Sequence, residues 1–131
     1  MTAMAEGGAL SLADRIDAIE EAYEFMLAYA AQGRSGEDGG KGPGIRRFLE
    51  RAEAALDGLD KAATERLGGD GAAADFIAIL EDDAGKARAA LRLVLAQPSI
   101  GSQLVDNLNA SIHLRALLTD LFLIDEVAKG K

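Results

Sequence analysis

Apolar residues recur along this chain at the three-to-four-residue spacing of an amphipathic helix. The pattern predicts four helices, over residues 11–32, 43–67, 72–96 and 99–129. Ser11 followed by Asp14 resembles a capping box at the start of the first helix. No run of alternating apolar and polar residues is long enough to predict a strand. The sequence therefore predicts an all-α fold.

The helices are separated by stretches rich in glycine, which disfavours regular structure. Residues 1–10 are expected to form a flexible N-terminus and residues 34–44 a flexible loop. We predict that residues 11–131 form one domain, an antiparallel four-helix bundle with an up-down-up-down course. The alternative is a three-helix core whose second helix is broken at Gly58.

The last predicted helix has apolar side chains on two sides rather than one. One side carries Leu104, Val105, Leu108, Ile112, Phe122 and Leu123. The other carries Ala110, Leu114, Leu117, Leu121 and Ala128. A helix of a small bundle normally keeps a polar side, so this surplus predicts a central position or a partner chain. We predict a homodimer whose interface includes Phe25, Tyr29, Leu114, Leu117 and Leu121.

Charge narrows the choice of partners. The chain has 22 acidic and 14 basic side chains, a formal net charge of −8. This charge repels phosphate backbones and anionic lipid surfaces, so we expect neither nucleic acid nor a membrane as partner. It favours a basic protein if a second protein binds. Without cysteine or a visible secretory signal, the chain is expected to be cytoplasmic.

A narrow polar stripe lies between the two apolar sides of the last predicted helix. It consists of Asp106, Asn109, His113 and Asp120. A carboxylate one or two turns from His113 is suited to orient or charge the imidazole, as catalytic histidines require. These four residues are candidate catalytic residues. The alternative is a solvent-facing strip or a satisfied polar network within an interface.

The segment around His113, Ser-Ile-His-Leu-Arg over residues 111–115, resembles the histidine box of sensor kinases. Such histidines are phosphorylated on the exposed surface of a four-helix bundle. The segment departs from that box at Leu114, where an acidic neighbour is usual, and at Leu117, where a polar helper is usual. The resemblance implies phosphotransfer at His113 as an alternative function.

Carboxylates are the remaining candidate chemistry. Glu20, Glu24, Glu50 and Glu53 are able to supply oxygens for a hard cation, although a solvated face with ion pairs is the alternative. The Glu-x-x-His pair of di-iron bundles is missing, so we expect no metal or other cofactor.

The main prediction is a non-catalytic helical assembly or protein-binding module. A module centred on His113 and a carboxylate metal site are its rivals.

Overall fold

Every regular element of the described chain is a helix. The computed structural model describes residues 10–37 and 44–130. The helices are α1 (Leu12–Ala30), α2 (Ile45–Leu56), α3 (Leu59–Leu67), α4 (Gly71–Leu95), α5 (Ser102–Ala110) and α6 (Ile112–Lys129). The all-α prediction is confirmed. Within the described ranges, no helix has the length and apolar character needed to span a bilayer.

The predicted flexible segments lie largely outside the described residues. Of the N-terminus predicted over 1–10, only Leu10 is described, and residues 38–43 of the predicted loop 34–44 are not. The predicted start of the first helix is tested by the hydrogen bonds of Ser11 and Asp14. Ser11 Oγ accepts the N–H of Asp14 at 3.1 Å, and the Asp14 carboxylate accepts the N–H of Ser11 at 3.4 Å. The capping box is therefore confirmed.

Two predicted helices are each divided in two. Gly58 has a φ of +88° and separates α2 from α3, as the alternative with a broken second helix expected. Ser111 is extended, with φ −60° and ψ 131°, and separates α5 from α6. Its hydroxyl accepts the N–H of His113 at 3.2 Å. One continuous helix over 99–129 is therefore wrong, and the four-helix up-down-up-down course stays a prediction.

The helices pack around one core built mostly from leucine, isoleucine and alanine. α1 packs chiefly against α2 and α5, whereas α4 packs chiefly against α6, α3 and α2. Tyr29 ties α1 to the turn between α4 and α5, because its hydroxyl donates to the carbonyl of Ile100 at 2.5 Å. The hydroxyl of Ser102 donates back to the Tyr29 carbonyl at 2.6 Å.

Arg15 is a buried cation that caps a neighbouring helix. Its side chain is only 2% exposed. Nη1 donates to the carbonyls of Ala55 at 3.0 Å and Asp57 at 2.5 Å, and Nε donates to the carbonyl of Leu10 at 3.1 Å. The last carbonyls of a helix have no partner within the helix, and a cation is well placed to satisfy them. Arg15 thereby fixes the C-terminal end of α2 on α1.

Two further arginines cap helix ends in the same way. Arg46 of α2 donates to the carbonyls of Leu95 at 2.7 Å and Gln97 at 2.9 Å, at the C-terminal end of α4. Arg66 of α3 donates to the carbonyl of Ala128 at the end of α6. The C-terminal ends of α2, α4 and α6 are therefore each capped by a side chain from another helix.

The described start of the predicted flexible loop is held in place. Backbone and side chain of Ser102 exchange hydrogen bonds with the backbone of Arg34, at 2.9 and 2.8 Å. Glu37 pairs with Arg46 at 2.9 Å and accepts the N–H of Ile100 at 3.0 Å. Residues 34–37 thus lie against the turn between α4 and α5.

Candidate binding surface

The residues predicted to form a dimer interface are packed inside this chain. Most of them have less than a twentieth of their surface exposed: Tyr29, Leu114, Leu117 and Leu121. The half-buried Phe25 stacks on Phe48 of α2, with ring centroids 4.2 Å apart. Their apolar surface is largely covered by neighbouring helices of this chain, and the interface assignment stays a prediction. The dimer itself stays a prediction.

The other apolar side of α6 faces outward. Leu123 is 53% exposed, and Ile112 and Val127 are also exposed. At about 100° per residue these three side chains fall within roughly 60° of one another around the helix. On α4 the same placement groups Phe76 and the exposed Ile79. The sequence thus identified both apolar sides of α6 but assigned the interface to the side that forms the core.

An apolar groove lies where these two stripes meet. The cavity in it has a volume of about 380 Å³. Its walls include Ala72 and Phe76 from early α4 and Leu123 and Val127 from late α6, so the two helices run antiparallel here. We call the surface formed by six residues the α4–α6 groove: Phe76, Ile79, Asp83, Asp120, Leu123 and Val127.

Two carboxyl groups meet within the α4–α6 groove. Asp120 is 8% exposed, and its carboxyl group lies within hydrogen-bonding reach of the Asp83 carboxyl. Burial, and then the hydrogen bond and charge of Asp83, raise the pKa of Asp120 from 3.8 to about 7. Two carboxyl groups hydrogen bond only while one of them holds a proton. The pair therefore loses its proton close to neutral pH.

No N–H or hydroxyl group of the described residues donates a hydrogen bond to Oδ2 of Asp120, and that atom is buried. The nearby cations of α4 are engaged elsewhere, since Lys86 pairs with Asp82 at 3.1 Å and Arg88 pairs with Glu53 at 2.9 Å. The carboxyl group of Asp120 therefore depends on the proton that it shares with Asp83.

The predicted catalytic stripe is not assembled. The break at Ser111 places Asp106 and Asn109 on α5, and His113 and Asp120 on α6. Within 10–37 and 44–130, no hydrogen bond or ion pair joins any two of these four side chains. Asp106 and His113 are exposed. The amide of Asn109 has both polar atoms buried without a hydrogen-bond partner in the described chain.

Glu53 is used in ion pairs between helices. It accepts hydrogen bonds from Arg88 and Arg92, each at 2.9 Å. Burial raises the pKa of Glu53, but the hydrogen bonds and charges of the two arginines outweigh it and hold the pKa below its ordinary value. This carboxylate therefore joins α2 to α4.

The other candidate metal ligands are not gathered into a site. Glu24 and Glu50 are exposed. Burial raises the pKa of Glu20, and the nearby carboxylate of Asp125 raises it further. In the part of the chain that the structure describes, no three histidine, cysteine or acidic side chains are placed to hold a metal ion.

The function of this chain is argued from the α4–α6 groove, because comparison with known proteins gives no relative from which to infer it. The sequence reasoning did not select Asp83 as a candidate site residue. The only signal available was its helical register with Phe76 and Ile79 on the edge of α4. Searches against protein-family models, curated proteins and solved structures find no match for the chain.

Proposed function

We propose that this protein is a non-catalytic binding module that docks an apolar helical segment of another protein in the α4–α6 groove. The observation that carries the proposal is the apolar surface that α4 and α6 expose beside a cavity of about 380 Å³. The hydrophobic core of the chain is formed by other, buried side chains. Contiguous apolar surface on a small domain is typical of a protein-binding site. Grooves of this kind receive the apolar face of an amphipathic helix.

The size of the cavity suits a side chain of such a helix. An apolar cavity of about 150 Å³ already holds benzene. A cavity of about 380 Å³ therefore has room for an aromatic or leucine side chain. Neighbouring anchors at helical spacing would then contact Ile79 and Leu123 along the rest of the groove.

A second copy of this chain is the alternative occupant. Two-fold packing brings the same surface of both copies together, so it would place two Asp83–Asp120 pairs close to one another. The charge of −8 on each copy adds repulsion. These like charges favour a different protein over self-association.

The binding test uses a peptide of known sequence. The probe is an amphipathic peptide of about 18 residues with phenylalanine and leucine along one face, which exceeds the length of about 12 to 15 residues below which isolated helices are marginal in water. We expect its addition to shift backbone NMR signals along the α4–α6 groove. Leu123→Glu should weaken binding about tenfold or more, because it puts a charge into apolar surface.

The matched control is Leu27→Glu on α1, since Leu27 has a similar exposure of 47%. It should leave peptide binding unchanged. Equal losses in both variants, or signal shifts on another surface, would contradict the proposal. In contrast to the homodimer predicted from the sequence, this proposal predicts a monomer in sedimentation at tens of micromolar. A dimer dissociated by Leu123→Glu would replace our proposal with self-association.

Phosphotransfer at His113 is a weaker candidate, favoured by the exposure of the imidazole on the first turn of α6. It predicts that phosphoramidate phosphorylates His113 faster in the folded chain than in a peptide of residues 111–115. Phosphorus NMR measures both rates. Equal rates would leave His113 as an ordinary surface histidine.

A further inference from the structure

The segments of chain that line the cavity of the α4–α6 groove are acidic. Residues 67–83 and 120–128 supply this lining, and they contain eight acidic residues and no lysine or arginine. Charges are mixed elsewhere, since α2 has three arginines and two glutamates. The net charge of −8 is therefore unevenly distributed, and the groove lies in an acidic part of the surface.

Three of these acids border the exposed apolar side chains of the groove. Asp75 precedes Ile79 by four residues and Asp82 follows it by three, and both spacings place side chains on the same side of a helix. Glu126 follows Leu123 by three residues on α6, the opposite wall. All three acids are exposed. We call Asp75, Asp82 and Glu126 the acidic rim of the groove.

The cations near the acidic rim are held only by weak contacts. Lys86 pairs with Asp82 at 3.1 Å, and the ammonium of Lys129 lies 3.7 Å from the Glu126 carboxylate. Pairs between exposed side chains such as these contribute little free energy, so a cation of a partner is able to replace either lysine. No lysine or arginine of the described residues forms an ion pair with Asp75. The acidic rim is therefore available to a partner.

Shape and charge together select one kind of occupant. Stable interfaces combine an apolar centre with a polar rim, and here Ile79 and Leu123 lie beside exposed carboxylates. A second copy of this chain would bring two acidic rims together, and nucleic acid or an anionic lipid surface would be repelled. Among the described residues, no three acidic side chains are placed to hold a metal ion. An amphipathic helix with cations along both edges of its apolar face matches the apolar centre and the acidic rim.

We propose, resting on the proposed function, that the partner of the α4–α6 groove is a basic amphipathic helix with lysine or arginine along both edges of its apolar face. Its apolar side chains contact Ile79 and Leu123. Cations on one edge pair with Asp75 and Asp82 of α4, and cations on the other edge pair with Glu126 of α6. The apolar contacts supply most of the affinity, whereas the edge charges speed association and reject acidic helices.

The test compares two peptides of identical composition and net charge. Both carry the phenylalanine and leucine face described above. In the first peptide lysines lie along both edges of that face and glutamines lie on the opposite side, and in the second the lysines and glutamines exchange places. Lysine and glutamine have similar helix propensities, so the peptides differ mainly in where their charge lies. Because both edges carry lysine, either direction of the bound helix presents cations to both walls.

For the wild-type chain at low ionic strength we expect the peptide with lysine at the edges to bind about fivefold more tightly than its isomer, measured by calorimetry. At about 1 M salt the screening length falls to about 3 Å, and the preference should fall to about twofold or less. The rim variant, which combines Asp75→Asn, Asp82→Asn and Glu126→Gln, should lose the preference to the same extent at low ionic strength.

The control variant removes the same number of exposed charges from α1, as Asp17→Asn, Glu21→Gln and Glu24→Gln. Its net charge equals that of the rim variant, but the groove is unchanged, so it should keep the preference. If both variants lose the preference, the lysines respond to overall charge and the inference is overturned. If both variants keep it, the lysines are recognised elsewhere and the inference is likewise overturned.

Backbone NMR signals locate the bound peptides and separate this inference from the proposed function. If both isomers bind in the groove of the wild-type chain with equal affinity, the inference about the acidic rim is overturned and the docking function stands. If neither peptide binds in the groove, the proposed function fails, and this inference fails with it.

Discussion

Arg15 and Asp120 are both ionisable residues that the fold buries, but their surroundings differ in kind. Arg15 donates to three backbone carbonyls, at 2.5, 3.0 and 3.1 Å. Asp120 faces the carboxyl group of Asp83, and no N–H or hydroxyl group of the described residues donates to its buried Oδ2. The charge of Arg15 is compensated within the chain and holds two helices together. Asp120 instead avoids a buried charge by keeping a proton up to about pH 7.

The largest effect is expected from removing the satisfied charge. Arg15→Met keeps an apolar stem but leaves the carbonyls of Ala55 and Asp57 without their donor. We expect a loss of about 2 to 4 kcal/mol in the free energy of unfolding, because each buried carbonyl left without a donor costs about 1 to 3 kcal/mol. Urea denaturation measures it. Arg47→Met, at an exposed position of the same chain, is the control, and a loss near that of the control would show that Arg15 is dispensable.

Replacing the buried carboxyl group of Asp120 should change the free energy of unfolding in the opposite direction, by an amount that depends on pH. The folded chain keeps the proton of Asp120 up to about pH 7, whereas an ordinary aspartate releases it near 3.8. Folding therefore binds a proton in this window, and wild-type stability falls as pH rises from about 4 to 7. Asp83 on α4 is the neighbouring group that, with burial, causes this shift.

Asp120→Asn has no proton to lose at this position. We expect it to match the wild type near pH 4 and to exceed its stability by about 1 to 3 kcal/mol at pH 8. Urea denaturation at pH 4, 6 and 8 measures the difference, with the exposed Asp82→Asn as control. A difference that does not change with pH would mean that Asp120 is not held protonated in the folded chain.

A smaller effect is expected next to Arg15, at the turn that the arginine caps. Gly58 has a φ of +88°, a conformation that is unfavourable for alanine by about 1 kcal/mol or more. Gly58→Ala should lower stability by about that amount. Gly85→Ala lies within α4, where nothing obstructs an added Cβ, and should raise stability by about 0.5 to 1 kcal/mol. Equal signs would contradict the role of the left-handed turn.

Local signals account for the parts of the fold that the sequence predicted. The Ser11 capping box and the third predicted helix, seen as α4, depend on neighbouring residues and on one amphipathic pattern. The break at Ser111 was missed because Ala110 and Ile112 fit a continuous apolar pattern. A serine hydroxyl that competes for a backbone N–H interrupts a helix without changing that pattern.

The groove was beyond sequence reasoning for a different reason. Periodicity located two apolar sides on the last predicted helix, but which side faces the core depends on where α4 and α5 pack. Leu117 and Leu123 are both leucines, yet one is buried and the other exposed. The approach of Asp83 to Asp120 is likewise tertiary, since it joins two helices that are distant in the chain.

The arginine caps make helix termination a property of the whole domain. Arg15, Arg46 and Arg66 each close the end of a helix that lies far from them in sequence. An isolated peptide of α2, α4 or α6 would fray at its C-terminal turn, because the donor for its last carbonyls comes from elsewhere. Each of these helices is completed only when another one docks, which couples their formation and favours cooperative, all-or-none folding.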